Sequence, residues 1–463
     1  MFSVGEVAKS MLRLPWAMSL FSAGELANTL MPTSHDPQAR PGTATDVVTQ
    51  AIVEQLGVQG IFQGAFQGGD ELQRELVDVL SGFLTPASLT SSSFIRLPAD
   101  LLRWFTEVSR CFLPGRESLL IWQDLRNKIE VFALVPSVPS RLHLQLQPPF
   151  PSLIEAVRKA YAMEPYSALW AVEGLGHWYG DTFWQRHEIP RQILGEEHTG
   201  DIPTKSLLML HAGIGLSFAQ HYMQTVNHLS SHSDIRRVLQ QIITLCRENS
   251  RSGYEGAALE SLGLVTQSAT FTGDARPDVL VRIVSQLLAD IDPDVLGYFW
   301  HGVGRATYFL PIHFVPCYGS LWHAIEMVRQ EASDEFAWHN ALAGLAWGVT
   351  MVNIRQPQVM AHFLQCHGQH LGHNNAFSYG VTSSLMMRFD TTPDAPFIAP
   401  FYHYQPDSSD RVLTQLWYLQ VQQPSERALH DYYPVLKRHD RLGEIFRYQP
   451  MPTLISRLEQ AAA

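Results

Sequence analysis

Glu173-Gly174-Leu175-Gly176 is a stretch whose form returns five more times along the chain. A glycine stands at Gly174, Gly213, Gly256, Gly302, Gly344 and Gly380, and two residues later come Gly176, Gly215, Ala258, Gly304, Ala346 and Thr382. The intervals between anchors are 39, 43, 46, 42 and 36 residues, the length of a helical hairpin with its turns. An interior glycine costs a helix about 1 kcal/mol relative to alanine. A Gly-x-small face offsets that cost by letting two helix backbones approach closely. Large rings flank the small positions, Trp170 and Trp178 around the first anchor, Trp300 and Tyr308 around the fourth. The spacing predicts an all-α fold, a helical-hairpin repeat array that is either an open α-solenoid or a closed α/α toroid.

Working outward, the hairpins are expected over residues 152–390 as six units, each pairing an anchored helix with an amphipathic one. Residues 234–247 illustrate the second type, with Ile235, Val238, Leu239, Ile242, Ile243 and Leu245 on one side. Five prolines between Pro136 and Pro151 predict a linker over 136–151, because proline removes an amide donor and crowds the preceding turn. Residues 1–135 read as a helical N-terminal domain. Residues 391–463 read as a Pro- and aromatic-rich strap followed by two short helices, from about Ser408 and Ser425.

At 463 residues the chain can bury a sizeable core, and 46% hydrophobic with 17% charged residues describes a globular protein. A net charge of -11 argues against a nucleic-acid partner. Cys111, Cys246, Cys317 and Cys366 form no C-x-x-C pair, and no leader pattern opens the chain, so a cytoplasmic setting with reduced thiols is expected. An uncharged run around residues 306–325 contains Pro311, His313, Pro316 and His323 and reads as a buried helix, a turn and a second helix. The amphipathic residues 11–30, from Met11 to Leu30, could make peripheral contact with a membrane or granule surface.

Chemistry is sought beside the anchors. Glu173, Glu255, His301 and Arg305 occupy equivalent or adjacent places on successive anchored helices and are the candidate acid/base and charge-stabilising groups. His211, His177, Trp178 and Tyr308 are the candidate ligand-binding groups. In a toroid these side chains would converge on a central cavity, and in a solenoid they would line a groove for a partner. His362, Cys366 and His370 fall at i, i+4 and i+8 and form the best metal-like face, with His367 and His373 nearby. Gly368 and Gly372 weaken that helix and no carboxylate lies near, so no metal is expected. No phosphate loop, H-E-x-x-H or nucleophile elbow is present, and no cofactor is expected.

The ordered series Glu173-Gly174-Leu175-Gly176, His211-Ala212-Gly213-Ile214-Gly215, Tyr254-Glu255-Gly256-Ala257-Ala258, Gly302-Val303-Gly304-Arg305 with Tyr308-Phe309, Ala343-Gly344-Leu345-Ala346 and Asn375-Ala376-Phe377 resembles a bacterial family of unknown function often encoded in enediyne polyketide gene clusters. The likeness covers about residues 161–388. Its third motif departs from the family, with Glu-Gly-Ala-Ala where an aromatic and a second Gly are expected. The resemblance implies a setting in specialised metabolism and carries no catalytic residues.

Two functions are compatible with the residues. One is an accessory binding or scaffold protein that holds a protein partner or a long apolar molecule. The other is a cyclase- or isomerase-like enzyme acting on an apolar or polyene substrate inside a closed toroid.

Overall fold

The computed structural model describes residues 107, 110, 111, 115–144, 152–195, 201–226, 230–269, 277–314, 317–371, 375–407 and 409–462. The expectations for residues 11–30, most of the N-terminal domain and His373 lie outside them. Among the described residues the chain is all-helical, without a strand. None of these helices is long and apolar enough to cross a membrane. The chain divides into two compact units, residues 1–125 with 311–320, and residues 126–310 with 321–463.

In the smaller unit, the described residues include the start of helix α1 (Arg116–Arg141) and the 3-10 turn Pro311–Phe314. Trp122 donates its indole N–H to the Cys111 carbonyl at 3.0 Å, and Cys317 donates its thiol proton to Glu107 at 3.3 Å. Burial pushes the Cys111 thiol up to about 12, so it behaves as a small core residue.

The larger unit runs through α2 (Leu153–Tyr161), α3 (Pro165–Gln185), α4 (Leu207–Met223), α5 (His232–Glu248), α6 (Glu255–Leu259), α7 (Ser261–Ala269), α8 (Pro277–Ile291), α9 (Leu296–Tyr308), α10 (Ser320–Glu331), α11 (Glu335–Asn353), α12 (Pro357–His367) and α13 (Ala376–Thr391). Helices α3, α4, α7, α9, α11 and α13 pack each against the next in chain order. They are apolar on nearly all sides, as helices surrounded by neighbours must be. The others bury one face only. In α5 that face is the expected set from Ile235 to Leu245, and the helix opens on a capping box between Ser231 and Asp234.

The anchors do not form one face. Two residues advance a helix by about 200°, so the two small positions point to opposite sides. A side chain at Gly213 would strike the Glu173 carbonyl of α3, and one at Gly215 would strike Ala258 on the far side. In α9, Gly302 meets the Glu260 carbonyl and Gly304 the Ala341 carbonyl, while Gly344 of α11 meets the His301 carbonyl. Anchored helices such as α4 and α9 are thus narrowed for a neighbour on both flanks. The same geometry moves the third anchor. In α7 it is Gly263 that faces the Phe299 carbonyl, and Ser261 donates to the Ala212 carbonyl at 3.1 Å, the place a first glycine would take. The third motif is therefore Glu260-Ser261-Leu262-Gly263. Gly256 instead meets Gly443 and the Tyr298 ring.

The readings of residues 136–151 and of the C-terminal helices also change. Helix α1 continues through Pro136 and Pro139 to Arg141. Pro139 cannot donate to the Val135 carbonyl, and that oxygen lies where a side chain on Gly174 would be only 2.6 Å away. Residues 411–438 are continuously helical rather than two short helices, with π turns at Tyr418–Gln422 and Ala428–Tyr432 just before Pro424 and Pro434. The wider turn relieves the clash a proline ring makes with the preceding turn. The strap before it contains one short helix, Ile398–Tyr402.

First and last anchored helices also meet. Tyr166 of α3 donates to the Val352 carbonyl of α11 at 2.8 Å, the Trp170 and Trp347 rings pack edge-on at 6.3 Å, and Arg388 of α13 donates to the carbonyls of Pro165 and Tyr166.

Candidate functional site

Glu173, Glu260 and His301 hold the same position in three anchored helices, immediately before the first small residue. Arg305 lies four residues after His301, one turn along the same side of α9. This register gathers all four. Arg305 donates Nη1 to Glu260 Oε2 at 2.8 Å and Nη2 to Glu173 Oε1 at 2.5 Å, and His301 Nδ1 lies 2.7 Å from Glu260 Oε1. An ionised carboxylate only accepts, so Nδ1 carries the proton of that bond. Glu260 and His301 are 0% exposed, Glu173 is 3% and Arg305 5%.

Burial works against every charge here, and the partners decide the balance. Desolvation alone would raise the Glu260 carboxyl, but Arg305 and His301 outweigh it and hold it below the usual range. Burial likewise opposes the Arg305 charge, and Glu173 and Glu260 more than restore it. The guanidinium also stacks 4.3 Å above the Trp347 ring. Phe446, from the 3-10 turn Leu442–Phe446, closes over the group, with ring centres 6.0 Å from His301 and 6.4 Å from Trp347. His301 Nε2, Arg305 Nε and the indole nitrogens of Trp170 and Trp347 are buried without a partner.

Of the expected acid/base set, Glu173, His301 and Arg305 come together and Glu255 does not. Glu255 sits half-buried at the start of α6, near Tyr298. The acid that completes the cluster is Glu260, whose signal was its own context: Glu260-Ser261-Leu262-Gly263 repeats Glu173-Gly174-Leu175-Gly176 with serine as the small residue. Trp347 and Phe446 carried no motif.

The expected ligand-binding residues do not share a site. His211 is fully used inside the protein, with Nδ1 2.6 Å from the Leu207 carbonyl, Nε2 accepting the Arg251 amide at 2.9 Å and the ring stacked on Tyr254. Burial lowers its pKa to about 4, so it is neutral at pH 7. His177 bonds Gln220 at 2.7 Å, and Trp178 is buried against Tyr179. The Tyr308 hydroxyl accepts from Asn353 at 3.0 Å beneath the Lys128 ammonium. For the metal-like face, α12 ends at His367 and the 3-10 turn Gly368–Leu371 follows. That change of pitch takes His370 off the face, and it packs on Trp322 with His367. His362 and Cys366 stay 3.9 Å apart, and the three do not gather around one ion.

A groove of about 440 Å³ opens between α8 and the junction of α10 with α11. Trp300 and Leu296 form its floor, Phe336 stands 50% exposed at its edge, and Arg282, Gln286 and Gln330 reach its rim. Trp300 is fixed by its indole bond to Ser285 at 3.1 Å. No family model, curated protein or solved structure matches the chain.

Proposed function

We propose that this is a non-catalytic binding or scaffold protein whose charged centre is a structural clasp and whose groove holds the partner. The observation carrying this reading is the burial of Glu173, Glu260, His301 and Arg305 under Phe446, with Arg305 paired to both acids and His301 hydrogen-bonded to Glu260. Acid/base catalysis needs a substrate proton within hydrogen-bond reach of the working atom. Here His301 Nδ1, both Arg305 amino nitrogens and the Glu173 and Glu260 carboxylates bond one another, with the Trp347 and Phe446 rings beside them. On this reading the six anchored helices close as an α/α toroid with a packed centre, a view supported by the contacts of α3 with α11 and α13.

Function then falls to the groove, which offers an aromatic floor and a polar rim to an apolar molecule or an apolar side chain of a partner protein. The enediyne-cluster resemblance supplies the setting within this proposal, specialised metabolism in a bacterial cytoplasm, and the four free cysteines suit it. Native mass spectrometry of the wild type and of Phe336→Asp tests the reading, since Phe336 is exposed and dispensable to the core. A bound molecule or partner present in the wild type and lost in the variant supports it. A bare wild-type mass, or an adduct that survives the substitution, overturns it.

One observation favours a second reading. His301 Nε2 and Arg305 Nε face no protein partner, as groups awaiting a substrate would. Under it, the protein is an enzyme of acid/base type, and Glu260→Gln abolishes turnover while the fold is kept.

A further inference from the structure

Arg388, in the middle of the second half of α13, is 0% exposed and makes no ion pair among the described residues. Its Nη1 donates to the carbonyls of Pro165 and Tyr166, each at 3.2 Å, at the start of α3. Its Nε and Nη2 are buried without any partner. Those two nitrogens form one edge of the guanidinium, the fork that binds two oxygens of a carboxylate or phosphate in parallel. A fully buried cation with that edge empty is costly, and the Tyr166 and Phe397 rings, 5.2 and 5.5 Å from the guanidinium, offset the charge only in part.

Nearby groups add to the positive field. The Arg355 guanidinium lies 3.6 Å over the Tyr166 ring and that of Arg388 5.2 Å from its centre, and Arg355 Nε is also unpartnered. The α3 amino end contributes its own partial charge. Thr391, one turn beyond Arg388, leaves its hydroxyl buried and unbonded. Among the described residues the neighbouring acids pair with other groups. Glu130 holds Arg355 at 2.7 Å, the exposed Glu164 carboxylate caps the Ser167 amide, and Asp390 bonds Lys437 and Tyr433 through Oδ1, its Oδ2 being buried without a partner. Burial drives the Arg388 pKa down to about 10, with Tyr166 and Glu164 acting weakly in the other direction and Arg355 adding to the fall.

We propose that the Nε–Nη2 edge of Arg388 receives an external oxoanion, the carboxylate or phosphate group of a small ligand, which supplies the missing counter-charge. The inference is independent of the groove. Because Arg388 is wholly enclosed, the anion is held by the folded state and exchanges as that state opens.

The test is thermal unfolding of the full chain in chloride, acetate, sulfate and inorganic phosphate at matched ionic strength, with Arg388→Met and Arg388→Lys alongside. The wild type is expected to melt several degrees higher in one or more of the oxoanions than in chloride, at millimolar concentration. Acetate against phosphate separates a carboxylate from a phosphate ligand. Arg388→Met should lose the anion dependence, and Arg388→Lys, which keeps the charge without the fork, should lose most of it. Should neither variant fold, the wild-type series decides alone. Equal melting temperatures in all four anions, or an anion dependence retained in Arg388→Met, would overturn the proposal.

Discussion

Glu173 and Arg305 lie 132 residues apart in the chain and meet at 2.5 Å in the interior of the larger unit. Arg305 binds Glu260 with its other amino group, so one guanidinium clasps α3, α7 and α9 together. Both pairs are almost wholly buried, and screening by salt is therefore weak.

Removing one acid strands the charge it balanced. Glu260→Ala is expected to destabilise the protein by roughly 3–5 kcal/mol, whereas an apolar replacement of the whole group, Glu173→Leu with Glu260→Met, His301→Phe and Arg305→Met, should cost far less. Urea unfolding of both variants measures the difference. A single-acid loss below 1 kcal/mol would show the cluster to be a bystander.

Close helix approach makes a second prediction. A methyl group at Gly304 would collide with the Ala341 backbone, which cannot step aside, while one at Gly115 meets nothing within 4 Å. Gly304→Ala should cost about 3 kcal/mol or more and Gly115→Ala almost nothing. Ser261→Gly should be tolerated with a loss of about 1 kcal/mol, since it restores the glycine of the other motifs but removes a hydrogen bond. Melting temperatures of the three variants rank these expectations.

His211 gives a pH dependence with a definite sign. The unfolded imidazole takes up a proton near pH 6.5, and the folded one resists until about pH 4. The unfolded state binds more protons in that window, so stability is fully present above it and falls as pH drops through it, by about 3 kcal/mol in all. His211→Gln should be less stable at pH 7 and should lose this part of the slope. Unfolding free energies at pH 7 and pH 5 provide the comparison.

Phe446 closes the charged centre, so its removal should open it. Phe446→Ala is expected to cost about 3–5 kcal/mol and to make His301 accessible to diethylpyrocarbonate. Peptide mapping by mass spectrometry locates the modified histidine. A His301 that stays unreactive in a folded variant would mean that other side chains seal the site.

Much of this architecture is legible in the Gly-x-small motif, because backbone contact between helices demands small residues wherever it occurs. Its limits are equally physical. Gly256-Ala257-Ala258 satisfies the same pattern as Glu260-Ser261-Leu262-Gly263 five residues later, and only the neighbouring carbonyls show which one faces α9. Local pattern thus missed Glu260, the acid that ties His301 to Arg305. Pro136 and Pro139 misled for a related reason. Each disfavours a helix locally, yet α1 continues through both to Arg141. Phe446 is invisible beforehand, since nothing near it in sequence announces a contact with His301.

The plug formed by residues 442–448 has a bearing on biosynthesis. Its Gly443 amide donates to Gly253, the Tyr448 amide donates to Asn340, and Phe446 covers His301. During translation the carboxylates and guanidinium leave the ribosome long before the ring that seals them. Until that ring arrives, His301 and Trp347 lack an aromatic neighbour that they have in the folded chain. A chain cut before Phe446 would leave His301 without this aromatic cover and give water a way to the ion pairs.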